Sequence, residues 1–409
     1  MTETGSEHDR RVFLQQVAGG VAAWMLVPEA SAFGPPVRTD APLNVGLVGA
    51  GRWGRQLIGE LQKFEAVSVV AVADVDDNRA RQAQRRASKA NVYASHRELL
   101  ERQPDVQAVF VATPTHAHKD VVIDALSAGK HVYCEAPLAA SAEDLRAIAA
   151  AAKNGKTVFQ AGHQMRSNPV YKLARSFLRA GAVQDLVSLR TVFRRKTDWG
   201  ATTPWIVDDP ARGGLCLEVG AHQIDTACWF INRLPEGVSG SGSNALYQEA
   251  WKVPDTVHCM LRFKGGLRLS GEITLANSHE GRYEEFVGTM GSIKVAETHG
   301  WMFKEADAPT QGWEVYASRQ KFHNEEGITL IADATKLAKA GKDLSQGIGL
   351  PDPPLFYAIE DFLKSVLEGK EVQCTAADGL RAAMIALAWN EAVISGREVA
   401  IDPGTFEGS

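Results

Sequence analysis

The chain has 409 residues, 45% of them hydrophobic and 23% charged, with a formal net charge of −5. This is the composition of an ordinary globular protein, long enough for two domains that each bury a core. The mild acidity gives no electrostatic footing for nucleic acid or an anionic membrane surface, and neither is expected as a partner.

Residues 1–32 read as a targeting segment outside the fold. Asp9-Arg10-Arg11-Val12-Phe13-Leu14 resembles a twin-arginine export signal, a mildly apolar stretch runs from Val17 to Val27, and Ala30-Ser31-Ala32 supplies a small-residue cleavage pattern. The apolar stretch is too short to span a bilayer, so no stable membrane insertion is expected. The expected location is periplasmic, reached in the folded state. Residues 33–42, with three prolines, read as a linker or arm. Cys134, Cys216, Cys228, Cys259 and Cys374 are odd in number and follow no framework spacing. In a chain that folds in a reducing compartment they read as small apolar residues, not disulfides. No cluster of histidine, cysteine and acidic residues has metal-ligand spacing.

Residues 43–161 read as a doubly wound parallel sheet, because apolar strand-like runs alternate with helical stretches. Val45–Val48 leads into Gly49-Ala50-Gly51-Arg52-Trp53-Gly54, then into a helical stretch, and Val67–Ala73 ends at Asp74, about twenty residues on. In a dinucleotide site Gly49 makes the tight turn, Gly51 lets backbone approach a pyrophosphate, and Gly54 permits close helix–strand packing. The helix N-terminus at Arg52 and Trp53 offers free N–H groups to the phosphates. Asp74 is placed to accept from the adenosine ribose hydroxyls, which predicts NAD. Arg79 is the rival feature, since a guanidinium there would suit the 2′-phosphate of NADP. Ser95-x-x-Glu98 and Ser141-x-x-Asp144 predict helix starts, Gln107–Ala112 and His131–Cys134 buried strands, and Thr157–Ala161 the last strand.

Residues 162–405 read as a second, α+β domain. Strand-like runs at Val187–Phe193, Val257–Phe263, Leu267–Leu275, Phe286–Val287 and Ser292–Val295 predict a large, mostly antiparallel sheet, with a hairpin at Lys264-Gly265-Gly266. A helix is expected near Ile331–Ala340, and two more at Leu355–Leu367 and Ala376–Ser395.

Several segments carry a family resemblance. Val109–His118 reads VFVATPTHAH, Ala125–Leu138 reads ALSAGKHVYCEAPL, Gly162–Tyr171 reads GHQMRSNPVY, and Gly213–Asp225 reads GGLCLEVGAHQID. With the glycine fingerprint, with Gly288–Ile293 and with Asp378–Arg381, these resemble the glucose–fructose oxidoreductase and inositol dehydrogenase family, Gfo/Idh/MocA. The resemblance implies a Rossmann domain with Thr113, Pro114, His118, Glu135, Ala136 and Pro137 at the cofactor, and a homodimer or homotetramer built on the second sheet. It also implies that His222 is catalytic, with Glu218 where the family has an aspartate, and that His163 and Arg166 lie near nicotinamide and substrate.

One departure stands out. The family's Glu-Lys-Pro is Glu135-Ala136-Pro137 here, so the lysine near the reacting hydroxyl is missing. Four-residue spacing would bring Glu218 and His222 onto one helical face, the carboxylate raising and orienting the imidazole. Arg195 and Trp199 are the candidate substrate-binding residues, by hydrogen bonding and by stacking on a sugar face. The reading that follows is an NAD-dependent oxidoreductase acting on a carbohydrate or polyol, its cofactor held tightly and recycled in place. The alternatives are a redox-neutral glycoside hydrolase working by transient oxidation and elimination, and a non-catalytic cofactor- or sugar-binding protein.

Overall fold

The computed structural model describes residues 37, 39, 41–248, 250–310, 314, 319–322, 325–332 and 349–406. The export segment, most of the arm and most of the helix expected near residues 331–340 lie outside the described residues. The chain packs as two compact units, one gathering residues 35–167, 189–284 and 352–409, the other residues 168–188 and 285–351.

The first unit carries the parallel sheet. Its strands are β1 (Leu43–Val48), β2 (Val67–Ala73), β3 (Asn91–Tyr93), β4 (Ala108–Val111), β5 (His131–Glu135) and β6 (Phe159–Gly162). They lie in the order β3-β2-β1-β4-β5-β6 and every neighbouring pair is parallel. The strands are apolar because both faces are covered: Val45, Leu47 and Phe110 have no exposed surface. Helices α1 (Arg52–Leu61), α2 (Asp77–Arg86), α3 (His96–Arg102), α4 (His118–Ser127) and α5 (Ala142–Asn154) make the crossovers. Side chains cap their starts as the residue types dictate, Asp76 accepting from Asn78 and Arg79, Ser95 from Glu98, and Ser141 from Asp144. The strand order reverses between β1 and β4, the place where doubly wound sheets bind ligands at the carboxyl ends of their strands.

A large, mostly antiparallel sheet of ten strands follows the Rossmann strands in sequence. Within the first unit, β7 (Leu186–Arg194) pairs in parallel with β10 (Arg268–Thr274), which pairs antiparallel with β9 (Thr256–Arg262) across the expected Lys264–Gly266 turn. β8 (Gly237–Ser243) then pairs with β9, and β16 (Val399–Ala400) with β8. In the second unit, β12 (Gly291–Ala296), β13 (Gly300–Lys304), β15 (Glu326–Leu330) and β14 (Arg319–Lys321) form an antiparallel run, following β11 (Arg282–Gly288) in the chain.

Among the described residues the longer of the remaining helices are α6 (Pro169–Arg179), α7 (Gly220–Ile231), α8 (Pro354–Glu368) and α9 (Ala376–Ser395). α8 returns late in the chain to the Rossmann core, where Leu355, Ile359, Phe362 and Leu363 pack with Leu47 and Phe110. Thr375 and Asp378 form a reciprocal capping box at the start of α9, and Trp389 on that helix is buried with its indole N–H on the His258 carbonyl at 3.1 Å.

Candidate functional site

The glycine turn is built for a dinucleotide. Gly49 has φ +96°, and a Cβ there would lie 2.5 Å from the Ala112 backbone. A Cβ on Gly54 would lie 1.9 Å from the Gly49 oxygen, so the helix meets the strand only because both residues lack side chains. Nothing lies within 4 Å of a Cβ on Gly51, which caps α1 without any side-chain bond to the first-turn N–H groups. Open space over unsatisfied N–H groups is the cradle a pyrophosphate needs. Asp74 holds the turn from beside it, accepting from the Ala50 N–H at 2.7 Å and from the Asp76 N–H at 2.9 Å. Arg79 is ion-paired with Asp76 at 3.5 Å in α2.

The turns after β4 and β5 face one another through His118. Its ring lies between the Thr113 carbonyl, 2.8 Å from Nε2, and the Pro137 carbonyl, 3.0 Å from Nδ1. The buried ring thus ties the Thr113-Pro114 turn to Pro137, bracing the two turns expected at the cofactor. The Thr113 hydroxyl is buried and has no hydrogen-bond partner among the described residues. Glu135, at the end of β5, is 7% exposed; burial pushes its carboxyl up to about 8, and the Trp53 and Gln164 side chains moderate the shift.

Beyond these turns lies a pair of histidines. His163 follows β6 and His222 sits in the first turn of α7, their rings edge to face with centroids 4.9 Å apart. The Nε2 of His222 is 3.2 Å from the Ala136 carbonyl. In the neutral ring this nitrogen donates, leaving Nδ1 free to accept. Burial, then the neighbouring His163 and Arg282, push His222 well below the ordinary histidine value. Burial also lowers His163, which is 3% exposed and has both ring nitrogens without a hydrogen-bond partner among the described residues. Buried polar atoms in folded proteins are nearly always satisfied, so two orphaned nitrogens in one ring mark a place where a polar ligand belongs.

Two expectations are corrected here. Glu218 does not serve His222. The short helix Gly214–Glu218 ends at Val219 (φ −110°, ψ −45°), where α7 begins, so the two residues share no continuous helical face. Glu218 instead lines a small cavity with Thr115, His116, Trp205 and Arg212. Arg166 is committed to a carboxylate network rather than to an open pocket. It donates to both Asp225 oxygens at 2.8–3.1 Å and lies 3.3 Å from Asp378. Arg381 completes that network on Asp378. Arg195 is exposed, and its side chain makes no hydrogen bond or ion pair among the described residues. Trp199 is half-buried at the start of a four-residue helix, with no ring contact to the histidine pair. Sequence gave no signal for Arg282, which only the fold of β11 brings near the histidines. Sequence gave no signal that Thr115 and His116 neighbour Glu218.

All five cysteines are free thiols. Among the described residues there is no group of three or more metal-ligating side chains, and no helix long and apolar enough to cross a membrane.

Known proteins share the fold and the family of this chain. Residues 43–163 match the family model described as an oxidoreductase family with an NAD-binding Rossmann fold, and residues 171–294 match the GFO/IDH/MocA C-terminal domain. The chain is 30% identical over 281 residues to the inositol 2-dehydrogenase of Rubrobacter xylanophilus, covering 66% of this chain and 77% of that one. It is 28% identical over 384 residues to the levoglucosan dehydrogenase of Pseudarthrobacter phenanthrenivorans, covering 84% and 94%. A solved structure of levoglucosan dehydrogenase in complex with NADH and levoglucosan has the same fold, with a TM-score of 0.69 at 24% identity, covering 88% of this chain and 99% of that one.

Proposed function

The chain belongs to the Gfo/Idh/MocA oxidoreductase family, and we propose that it oxidises or reduces a sugar or polyol at the carbon facing the His163–His222 pair. It is an NAD-dependent enzyme. Bound NAD supplies the acceptor and donor of hydride. The glycine turn at residues 49–54, the N-terminus of α1 and the Asp74 carboxylate would hold it. Asp74 favours NAD over NADP, because it would repel a 2′-phosphate and because Arg79 is already paired with Asp76.

Oxidation of an alcohol needs its hydroxyl proton removed as the C–H bond breaks. The family lysine that would assist is Ala136 here, and the Ala136 carbonyl fixes the His222 tautomer instead. His222, kept neutral by burial and by two nearby basic groups, takes the proton at Nδ1 and returns it in the reverse direction. His163 binds and orients the substrate hydroxyls through its two unpartnered nitrogens. The Arg166–Asp225–Asp378 network fixes the segment that carries His163. Glu218 provides a separate carboxyl, and Arg195 and Trp199 meet the outer parts of the substrate. The observation that carries this reading is the buried, unsatisfied His163 beside a neutral His222.

The mature enzyme works in the periplasm as a dimer or tetramer. Arg10 and Arg11 support export, and the absence of a soluble nicotinamide pool there favours a cofactor retained from the cytoplasm. Incubating the purified protein with a panel of sugars, polyols and glycosides tests the reading: a keto product with a change in cofactor redox state is expected. Release of aglycone with no net change in the cofactor would instead favour the redox-neutral hydrolase.

A further inference from the structure

The segment that opens at Asp198 is braced by the loop that follows β8. Asp255 fixes that loop: it has no exposed surface and accepts from the Ala245, Leu246 and Tyr247 N–H groups at 3.0, 2.6 and 2.9 Å. The far end of the loop is tied to the segment itself, the Lys252 N–H donating to the Val207 carbonyl at 2.9 Å. Between these anchors Tyr247 and Trp251 stack, their centroids 4.2 Å apart and their planes 10° from parallel. Trp251 is 5% exposed, yet its indole N–H has no hydrogen-bond partner among the described residues. Buried donors are nearly always satisfied, so this one marks a place for a polar ligand. Gly200 lies against it. A Cβ on Gly200 would sit 2.5 Å from Trp251 Nε1 and 3.1 Å from Asp198 Oδ1. The donor and the carboxylate oxygen are therefore no farther apart than two hydrogen bonds end to end, about 2.8–2.9 Å each. Gly200 has no positive φ that would call for glycine. What its missing side chain provides is room between the two polar atoms.

We propose that Asp198, Gly200 and Trp251 form a binding site for one hydroxyl of a carbohydrate ring, which accepts from the Trp251 indole N–H and donates to the Asp198 carboxylate. A hydroxyl is the group this pair selects, because it is donor and acceptor at once. An anionic group would be repelled by Asp198, and an ammonium cannot accept from the indole. Asp198 also accepts from the Ala201 N–H at 3.2 Å, which fixes the carboxylate in place. Trp199 and Tyr247, both half-buried, flank the pair and offer aromatic surface to the C–H face of a sugar ring. The described contacts of His163 and His222 involve none of these residues. The ring held here is thus a second one beside the ring that reacts, and the substrate class is a glycoside of at least two rings. That part of the inference rests on the sugar or polyol reading above; the hydroxyl site rests on Asp198, Gly200 and Trp251 alone.

The test is calorimetric titration of the NAD-bound protein with D-glucose, myo-inositol, cellobiose and maltose, with crystals soaked in the tightest binder. A disaccharide should bind more tightly than either single ring, with one of its hydroxyls within hydrogen-bond distance of both Trp251 Nε1 and Asp198. Trp251→Phe keeps an aromatic ring on Tyr247 and removes the donor. It should weaken the disaccharide by about five- to tenfold, the value of one hydrogen bond, and leave the single rings unchanged. In turnover the same loss should appear in KM with kcat unchanged. Gly200→Ala puts a methyl against both polar partners and should act alike, which keeps the test open if Trp251→Phe fails to fold. Unchanged disaccharide affinity in the folded variants overturns the proposal. So does a soaked crystal with only water at the pair, or a sugar bound at crystal concentration only. A disaccharide held at the pair by a protein that exchanges hydride with no sugar upholds the site and removes the catalytic reading. Hydride exchange with single rings and no disaccharide binding does the reverse.

Discussion

At the residue scale, His222 faces the Ala136 carbonyl at 3.2 Å, and in the proposed reaction it is the group that moves the proton. His222→Ala should lower turnover by about 10²–10⁴-fold, the usual contribution of a general base, with NAD still bound as measured by cofactor release. Because burial and basic neighbours depress the His222 pKa, the acid limb of its pH–rate profile should lie below the ordinary value of 6.5; a limb at or above that value would contradict the assignment. Glu135 behaves in the opposite sense. Its folded pKa is raised from 4.5 to about 8, so the unfolded chain releases that proton first. The associated stability is complete below about 4.5 and is lost as pH rises toward 8, at up to about 1.4 kcal/mol per pH unit. Glu135→Gln should therefore flatten the decline in melting temperature between about pH 5 and 8, and parallel melting curves for the two proteins would refute it. The residue types at these positions were readable from sequence, but their partners were not. Spacing and the family resemblance paired Glu218 with His222, but one short helix ends at Glu218 and the next begins at Gly220.

Among the elements, the strand–turn–helix at residues 43–61 was the most legible, because each glycine answers a steric demand that sequence spacing already encodes. Two substitutions there should have separable effects. Gly54→Ala places a methyl 1.9 Å from the Gly49 oxygen and should both destabilise the fold and abolish NAD binding. Gly51→Ala meets no protein atom within 4 Å and keeps a φ of −60°. It should leave the melting temperature of the NAD-free protein unchanged while weakening NAD by at least about tenfold, or about 1.4 kcal/mol. Calorimetric titration and thermal melts check both, and equal NAD affinity in Gly51→Ala would place the pyrophosphate elsewhere. Strand β8 was the least legible. Its sequence, Gly-Val-Ser-Gly-Ser-Gly-Ser, has no apolar run, and it is a strand because α9 packs on it. Cβ atoms on Gly240 and Gly242 would fall 2.9 Å from Val393 and 2.6 Å from Pro254. The parallel β7–β10 pairing was equally hidden, since strand direction depends on chain return and not on composition.

For the whole molecule, the sequence pattern was sufficient for a Rossmann sheet followed by a large antiparallel one, because alternating and continuous apolar runs report how many faces a sheet buries. It did not reveal that α8, three hundred residues downstream of β1, completes the Rossmann core, since long-range packing leaves no local periodicity. Replacing Arg10 and Arg11 by Lys should hold the folded, NAD-bound protein in the cytoplasm; normal periplasmic accumulation of that variant in cell fractions would argue against twin-arginine export. The central claim, hydride exchange between bound NAD and a sugar or polyol with His222 moving the proton, is tested most directly by the near-ultraviolet absorbance of reduced nicotinamide. The purified protein loaded with NAD should develop that absorbance with at least one sugar or polyol of a panel, and His222→Ala, equally loaded, should not do so on the same timescale. Absence of reduced nicotinamide with every compound, or its equal appearance in His222→Ala, would contradict the claim.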